Sequence, residues 1–251
     1  MKDLYIGDIG KGFPIILLHG FLGSSRMWKP QIRFLKKHFR VITPDLPGFG
    51  KSNKVKSHKS IETIAELLIE CFDEMKISKF NLLGHSMGGM IAQEIAKKNE
   101  SKISKLIFYS TGPRGEMPGR FETVEQSRIN LKEYGLKKMS TNIVKTWFVN
   151  NESNKYFKTC IQASKQTSIE AVDNALIAFK KWNGVEDLKN IKNKTLIIWG
   201  DQDKSYSLKQ IQILKKNISF SSLAIFKGCA HNVHLEKIDK FNTTIKDFLD
   251  N

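Results

Sequence analysis

The chain has 251 residues, 40% of them hydrophobic and 26% charged, which is enough to bury one sizeable α/β core. No apolar run approaches the ~20 residues that a bilayer span needs, and the opening MKDLYIGDIGKGFP has no basic stretch followed by an apolar one, so neither a membrane protein nor a secreted one is expected. The net charge of +16 comes from lysines scattered in ones and twos, with no basic block and no alternation of basic and aromatic residues, so nucleic acid is not an expected partner.

Cys71, Cys160 and Cys229 are odd in number and widely spaced, matching neither a disulfide framework nor a metal site. A reducing cytoplasm is the expected compartment.

Short apolar, β-rich runs recur along the chain: PIILLHG (14–20), RVITPD (40–45), FNLLGH (80–85), KLIFYS (105–110), TLIIWG (195–200) and SLAIFKG (222–228). Their near-continuous apolar character suits parallel strands buried on both faces. Helical patterns lie between them. IETIAELLIECFDEM (61–75) repeats apolar residues with helical period behind Ser60 as N-cap. MGGMIAQEIAKK (87–98), LKQIQILKK (208–216) and KFNTTIKDFL (240–249) follow later strands. The alternation implies a mostly parallel sheet with helices on both faces. Residues 113–184 interrupt it. They open on GPRGEMPGRFE, rich in Gly and Pro, and continue as amphipathic helices such as VEQSRINLKEYG, STNIVKTWFVN and SIEAVDNALIAFKKW. About 70 residues exceed one crossover, so residues 113–184 read as a helical lid, with residues 1–112 and 185–251 forming the core.

The segment Gly84-His85-Ser86-Met87-Gly88 is G-x-S-x-G, with a predicted strand leading in and a predicted helix leading out. A sharp strand-to-helix turn holds the serine hydroxyl above the sheet edge, and its neighbours must be small to avoid adjacent elements. A serine nucleophile needs a base and an orienting acid. FKGCAHNVHLEK, after the last predicted strand, offers His231 and His234; WGDQDKSY, after the strand before it, offers Asp201 and Asp203. The order Ser, Asp, His, each following a strand, is that of one triad architecture, and such loops gather at the carboxyl ends of a parallel sheet.

Together LLHGF (17–21), PDLPGFGKS (44–52), GHSMGG (84–89), WGDQD (199–203) and GCAHNVHLE (228–236) resemble the α/β-hydrolase superfamily along nearly the whole chain. The resemblance implies a sheet of about eight strands with the lid inserted after the sixth. It implies Ser86 as nucleophile, His231 as base and Asp203 as acid, with Asp201 a loop residue and His234 packing locally. With the elbow geometry it nominates the backbone amides of Phe21 and Met87 as the oxyanion hole. It assigns His19 to shaping the loop after the first long strand, Asp45, Pro47 and Gly48 to a tight turn beside the site, and His85 to a position pointing off the elbow. His38 and His58 read as surface residues.

Serine at the elbow excludes the dehalogenase and epoxide hydrolase branches, which carry aspartate there. The branch that cuts carbon–carbon bonds tends to carry tryptophan directly after the catalytic histidine, where this chain has Asn232. Carboxylic esters, lactones and thioesters remain as small-molecule substrates, cleaved through an acyl-enzyme with no cofactor and no metal. Of the lid aromatics Phe121, Trp147, Phe148, Phe157, Phe179 and Trp182, part fills the lid and part lines an apolar pocket, for which Phe21, Trp147, Phe148 and Trp182 are the candidates. A ligand receptor and an acyltransferase are the alternatives on the same scaffold. Residues 113–184 hold 12 Lys plus Arg against 7 Asp plus Glu, a charge of +5, which suggests an acidic acyl carrier protein as a possible carrier of the ester.

Overall fold

The computed structural model describes residues 4–116 and 118–251. Seven strands form one sheet: β1 (Ile6–Ile9), β2 (Pro14–Leu18), β3 (Arg40–Pro44), β4 (Phe80–His85), β5 (Ile103–Tyr109), β6 (Lys194–Gly200) and β7 (Ser221–Phe226). Their spatial order is β1-β3-β2-β4-β5-β6-β7. β1 pairs antiparallel with β3 at one edge and every other pairing is parallel. Around the sheet lie α1 (Lys29–Leu35), α2 (Ile61–Glu74), α3 (Met87–Lys98), α4 (Val124–Lys145), α5 (Phe157–Ser164), α6 (Ile169–Lys181), α7 (Leu208–Asn217), α8 (Val233–Glu236) and α9 (Ile238–Asp250).

The apolar runs bury both faces of the sheet. In β2, Ile16 and Leu18 join the cluster under α2 and α3, while Ile15 and Leu17 join the cluster under α9. β5 splits the same way, Leu106 and Phe108 to one side and Ile107 and Tyr109 to the other. This alternation of two apolar faces is what a strand covered by helices above and below requires. Ser60 caps α2 as expected, its hydroxyl accepting the Thr63 amide at 3.2 Å.

The sheet differs from expectation by one strand: among the described residues it has seven strands rather than about eight, and the helical segment follows the fifth rather than the sixth. Only one antiparallel strand, β1, precedes β2 in these residues, so both counts shift together. β1 itself escapes a sequence reading because it is four residues long with an exposed end, and α1 because it is seven residues long with Pro30 in its first turn. Of the three helical patterns read in this region, α4 contains the first and the start of the second, joined across Gly135, whose φ of 72° and ψ of 168° break the helix between them, and α6 carries the third.

The segment between β5 and β6 leaves and returns through a neck. Arg114 bridges to Asn183, the Gly115 amide donates to the Trp182 carbonyl at 3.1 Å, and the Gly184 amide to the Pro113 carbonyl at 2.9 Å. Beyond the neck its apolar residues share one cluster with α2 and α3: Ile143, Trp147, Leu176 and Phe179 pack with Leu22, Leu46 and Met87.

The chain passes from β2 to β3 on one side and returns to β4 on the other. That reversal leaves a crevice at the carboxyl ends of β2 and β4, the place where open parallel sheets bind ligands.

Candidate active site

β4 ends at His85, and Ser86 stands between it and α3 with φ 54° and ψ −118°. A non-glycine residue in that region is strained and persists only where its surroundings impose the conformation. Here they do. A Cβ on Gly84 would overlap the Gly88 carbonyl, one on Gly88 would stand 2.5 Å from the Leu18 carbonyl oxygen, and one on Gly20 2.8 Å from the Ser86 Cβ. Strand, turn and helix therefore approach too closely for side chains. Thr111 reinforces the turn by donating its hydroxyl to the Ser86 carbonyl at 2.8 Å. Ser86 itself stays 8% exposed.

The loop after β6 separates the two aspartates by function. Asp203 Oδ2 lies 2.9 Å from His231 Nδ1, while its Oδ1 accepts the amides of Ser205 at 2.7 Å and Tyr206 at 3.3 Å. Asp201 instead accepts the Gly228 amide at 2.7 Å and shapes the turn after β7. The two histidines divide likewise. His231 lines the Ser86 cavity, and its contact with Asp203 through Nδ1 leaves Nε2 on the opposite edge of the ring. His234 is buried with Nδ1 2.9 Å from the Tyr109 hydroxyl. Burial pulls its pKa down to about 3, so the ring is neutral.

The His231 loop is held from below. Tyr109 donates its hydroxyl to the His231 carbonyl at 2.9 Å, and the His85 ring stacks on Tyr109 with centroids 4.4 Å apart. Burial drives the His85 pKa well below the ordinary histidine value. His85 thus points away from the pocket, as the resemblance implies. His19 also stays neutral because burial outweighs the attraction of Asp45. Its Nδ1 donates to the Gly20 carbonyl at 2.8 Å and its Nε2 accepts the Leu46 amide at 2.9 Å, tying the loop that carries Phe21 to the turn of Asp45 and Gly48. Asp45 in turn accepts the amides of Ser25 and Lys51. His38 is exposed, while His58 is half-buried rather than on the surface.

Ser86 and His231 share a cavity of about 20 Å³ with Phe21, Arg120, Ile143, Trp147, Phe179, Ser205 and Tyr206. Phe21 and Trp147 therefore stand where the sequence reading puts them. Phe148 and Trp182 do not line this cavity. Phe148 is buried in the cluster beneath the helical segment, and the Trp182 indole donates to Glu94 Oε1 of α3 at 2.8 Å. Met87 follows Ser86 as the first residue of α3. Phe21 lies in the loop after β2, and β2 and β4 are neighbours that pair Leu18 with Gly84.

Sequence reasoning missed Tyr206 and Arg120. The Tyr206 ring stacks on His231 at 16° with centroids 5.9 Å apart and lines the Ser86 cavity. Burial pushes its pKa up, so it remains a neutral donor. An aromatic residue in the otherwise polar DQDKSYS was its signal. Arg120 is one of only six arginines among 41 basic residues.

The helical segment reaches the site loops through polar contacts. The Asn232 amide donates to the Trp147 carbonyl at 3.0 Å, and Glu236 accepts the amides of Val149 at 2.8 Å and Ala230 at 2.7 Å. All three cysteines are buried and none is in a disulfide. Among the described residues no group of three or more His, Cys, Asp or Glu stands in a metal-binding arrangement, and no helix is long and apolar enough to cross a membrane.

A family model described as alpha/beta hydrolase fold matches residues 14–238. The pimeloyl-[acyl-carrier protein] methyl ester esterase of Legionella pneumophila (strain Lens) is 29% identical, over 98% of this chain and 99% of its own length. The 2-hydroxy-6-oxononadienedioate/2-hydroxy-6-oxononatrienedioate hydrolase of Comamonas testosteroni is also 29% identical, over 99% of this chain and 91% of its own length. Among solved structures, the esterase EaEST of Exiguobacterium antarcticum superposes with a TM-score of 0.92 at 25% identity, covering 99% of this chain and 96% of that one.

Proposed function

The chain belongs to the α/β-hydrolase family, and on that footing we propose that it cleaves carboxylic esters through an acyl-enzyme on Ser86. One observation carries the reading: a serine held in a strained turn faces a cavity that it shares with a histidine whose far nitrogen is bound to a buried aspartate. His231 Nε2 takes the Ser86 proton as the hydroxyl attacks the ester carbonyl. Asp203, accepting from Nδ1, fixes the tautomer that leaves Nε2 as the base and stabilises the imidazolium. The Phe21 and Met87 amides hold the developing oxyanion, with the N-terminus of α3 adding its dipole. His231 then returns the proton to the departing alcohol, and water repeats the sequence on the acyl-enzyme. The segment 113–184 acts as a lid over this site, supported by its neck and by the side chains that it places around Ser86. Buried cysteines that form no disulfide suit a reducing cytoplasm.

The test is covalent labelling. A fluorophosphonate adds once to the intact chain, the adduct maps to Ser86, and Ser86→Ala abolishes both adduct and ester turnover. Labelling at another serine overturns the assignment. A panel of aryl esters from acetate to laurate, with a methyl ester and a lactone, then separates esterase from lactonase and bounds the acyl chain. Labelling without turnover favours a ligand receptor instead.

A carrier-bound ester is the second reading. It is supported by the full-length similarity to the Legionella esterase and by the exposed Arg114, Lys132, Lys137 and Lys138 of the lid. An acidic carrier protein would be steered to that surface, so kcat/KM on its ester falls with salt while that on a small ester stays flat.

A further inference from the structure

Arg120 sits in the wall of the Ser86 cavity without an acidic partner. Its Nη1 makes both of its hydrogen bonds, to Ser127 Oγ at 3.1 Å and to the Glu122 carbonyl at 3.3 Å. Its Nε and Nη2 make none among the described residues. The basic neighbours differ: Arg128 pairs with Asp173 at 2.8 Å, and Lys180 with Glu125 at 3.4 Å. Glu122, the nearest acid, spends its carboxylate elsewhere, accepting from Ser127 Oγ and from Asn130 Nδ2. Burial pulls the Arg120 pKa down from the ordinary arginine value, the signature of a desolvated cation, yet the group stays charged at neutral pH. Arg120 is half-buried, with its guanidinium carbon 4.8 Å from the Phe121 ring centroid, and a cation so placed with an unspent edge is one that a ligand anion can complete.

The position is specific. Arg120 lines the cavity of Ser86, His231 and Tyr206, and also an outer cavity of about 300 Å³ walled by Glu116, Pro118, Glu122, Thr123, Val124, Glu125 and Lys180. The outer wall carries three carboxylates, which repel an anion. On the inner side Arg120 is the one lysine or arginine lining the cavity among the described residues.

We propose that Arg120 is a carboxylate-binding subsite of the Ser86 pocket, so that the physiological substrate is an ester or lactone bearing a free carboxylate in addition to its scissile bond. The inference rests on the ester-hydrolase reading for its reaction but not for its binding. The guanidinium offers two unspent nitrogens in a fork that matches a carboxylate, and the contact forms in a half-buried setting, where a charge-assisted pair is stronger than in bulk water. It adds binding energy away from the reacting carbonyl, orienting the ester towards Ser86. The acid released by hydrolysis keeps the same carboxylate, so it binds there and inhibits.

Two readouts test this. The first is kcat/KM for mono-p-nitrophenyl glutarate against p-nitrophenyl butyrate, a pair that differs in an added terminal carboxylate. The wild type favours the glutarate by about 10–100-fold, mostly through KM, the range expected of one charge-assisted pair. Arg120→Gln brings the ratio to about 1, and Arg120→Lys, which keeps the charge but loses the fork, retains part of it. A wild-type ratio of 1 or less, or a ratio unchanged by Arg120→Gln, overturns the proposal. The second readout is calorimetric titration of glutarate into the Ser86→Ala protein with and without Arg120→Gln. Binding that disappears with Arg120 supports the subsite even if no ester is turned over and the ester-hydrolase reading falls. Absent binding, or binding equal in both proteins, overturns it. Thermal melting and dichroism of both Arg120 variants report whether they are folded.

Discussion

Every residue from 80 to 96, across β4, Ser86 and most of α3, is buried, whereas only seven of the 22 residues of α4 are. Both regions contribute to one pocket, but they are specified differently. The elbow is specified by backbone approach: Gly20, Gly84 and Gly88 stand where any side chain would strike a neighbouring strand or helix. The helical segment is specified by the fit of side chains onto a core cluster that it shares, and by hydrogen bonds such as Glu236 to Val149 and Ala230. Steric rules on a backbone leave a motif in the chain. Packing of mixed side chains on a shared core leaves only amphipathic periodicity.

The sharpest way to break this contrast is at the acid. Asp203→Asn should lower kcat by ~10⁴, because it favours the wrong imidazole tautomer. Asp201→Asn, which disturbs only the Gly228 turn, should cost less than tenfold. Steady-state kinetics on one aryl ester decides, and reversed effects would refute the division of labour between the two loops.

Next come the glycines. Gly84→Ala should cost about 3 kcal/mol or more, since its Cβ meets backbone that cannot yield. Gly135→Ala in α4 meets nothing within 4 Å and bears only the strain of a positive φ, about 1–2 kcal/mol. Urea unfolding compares them, and equal losses would show that the helical segment is as tightly specified as the elbow.

A smaller, pH-dependent effect separates the core from the surface. The His234 pKa of about 3 in the folded protein lies below its ordinary 6.5. Between those values the unfolded chain binds more protons, so the contribution of neutral His234 is intact above pH 6.5 and is lost as pH falls. The loss runs at about 1.4 kcal/mol per pH unit. His19 and His85, also lowered by burial, act in the same direction. Tm should drop steeply from pH 6.5 to 4.5, and His234→Gln should flatten the slope by close to one proton. An unchanged slope would mean that His234 is not buried neutral.

The smallest effect belongs to the face of the helical segment. Lys180→Ala removes the pair with Glu125, both side chains more than half exposed, and should change stability by at most ~0.5 kcal/mol. A larger loss, read by Tm, would mark this pair as part of the packing rather than its solvated rim.

The order of strands and helices, the elbow at Ser86 and the two loops that supply Asp203 and His231 were legible in the sequence. Parallel strands buried on both faces must be continuously apolar, and a nucleophile raised above a sheet must have glycines beside it. β1 and α1 were not legible, being too short for periodicity to register, nor was the continuity of α4 across Gly135. Which aspartate meets His231 followed in the sequence only from resemblance; the tertiary structure decides it by distance, 2.9 Å for Asp203 against a turn amide for Asp201. The pocket wall was decided by tertiary packing alone. Trp147 and Trp182 are equally apolar in sequence, yet one faces Ser86 while the other gives its indole N–H to Glu94. Arg120 and Tyr206 reach the serine from loops 34 and 120 residues away along the chain. No local pattern encodes such a meeting, because it depends on how the neck at Pro113–Gly115 and the loop after β6 are aimed by the core beneath them.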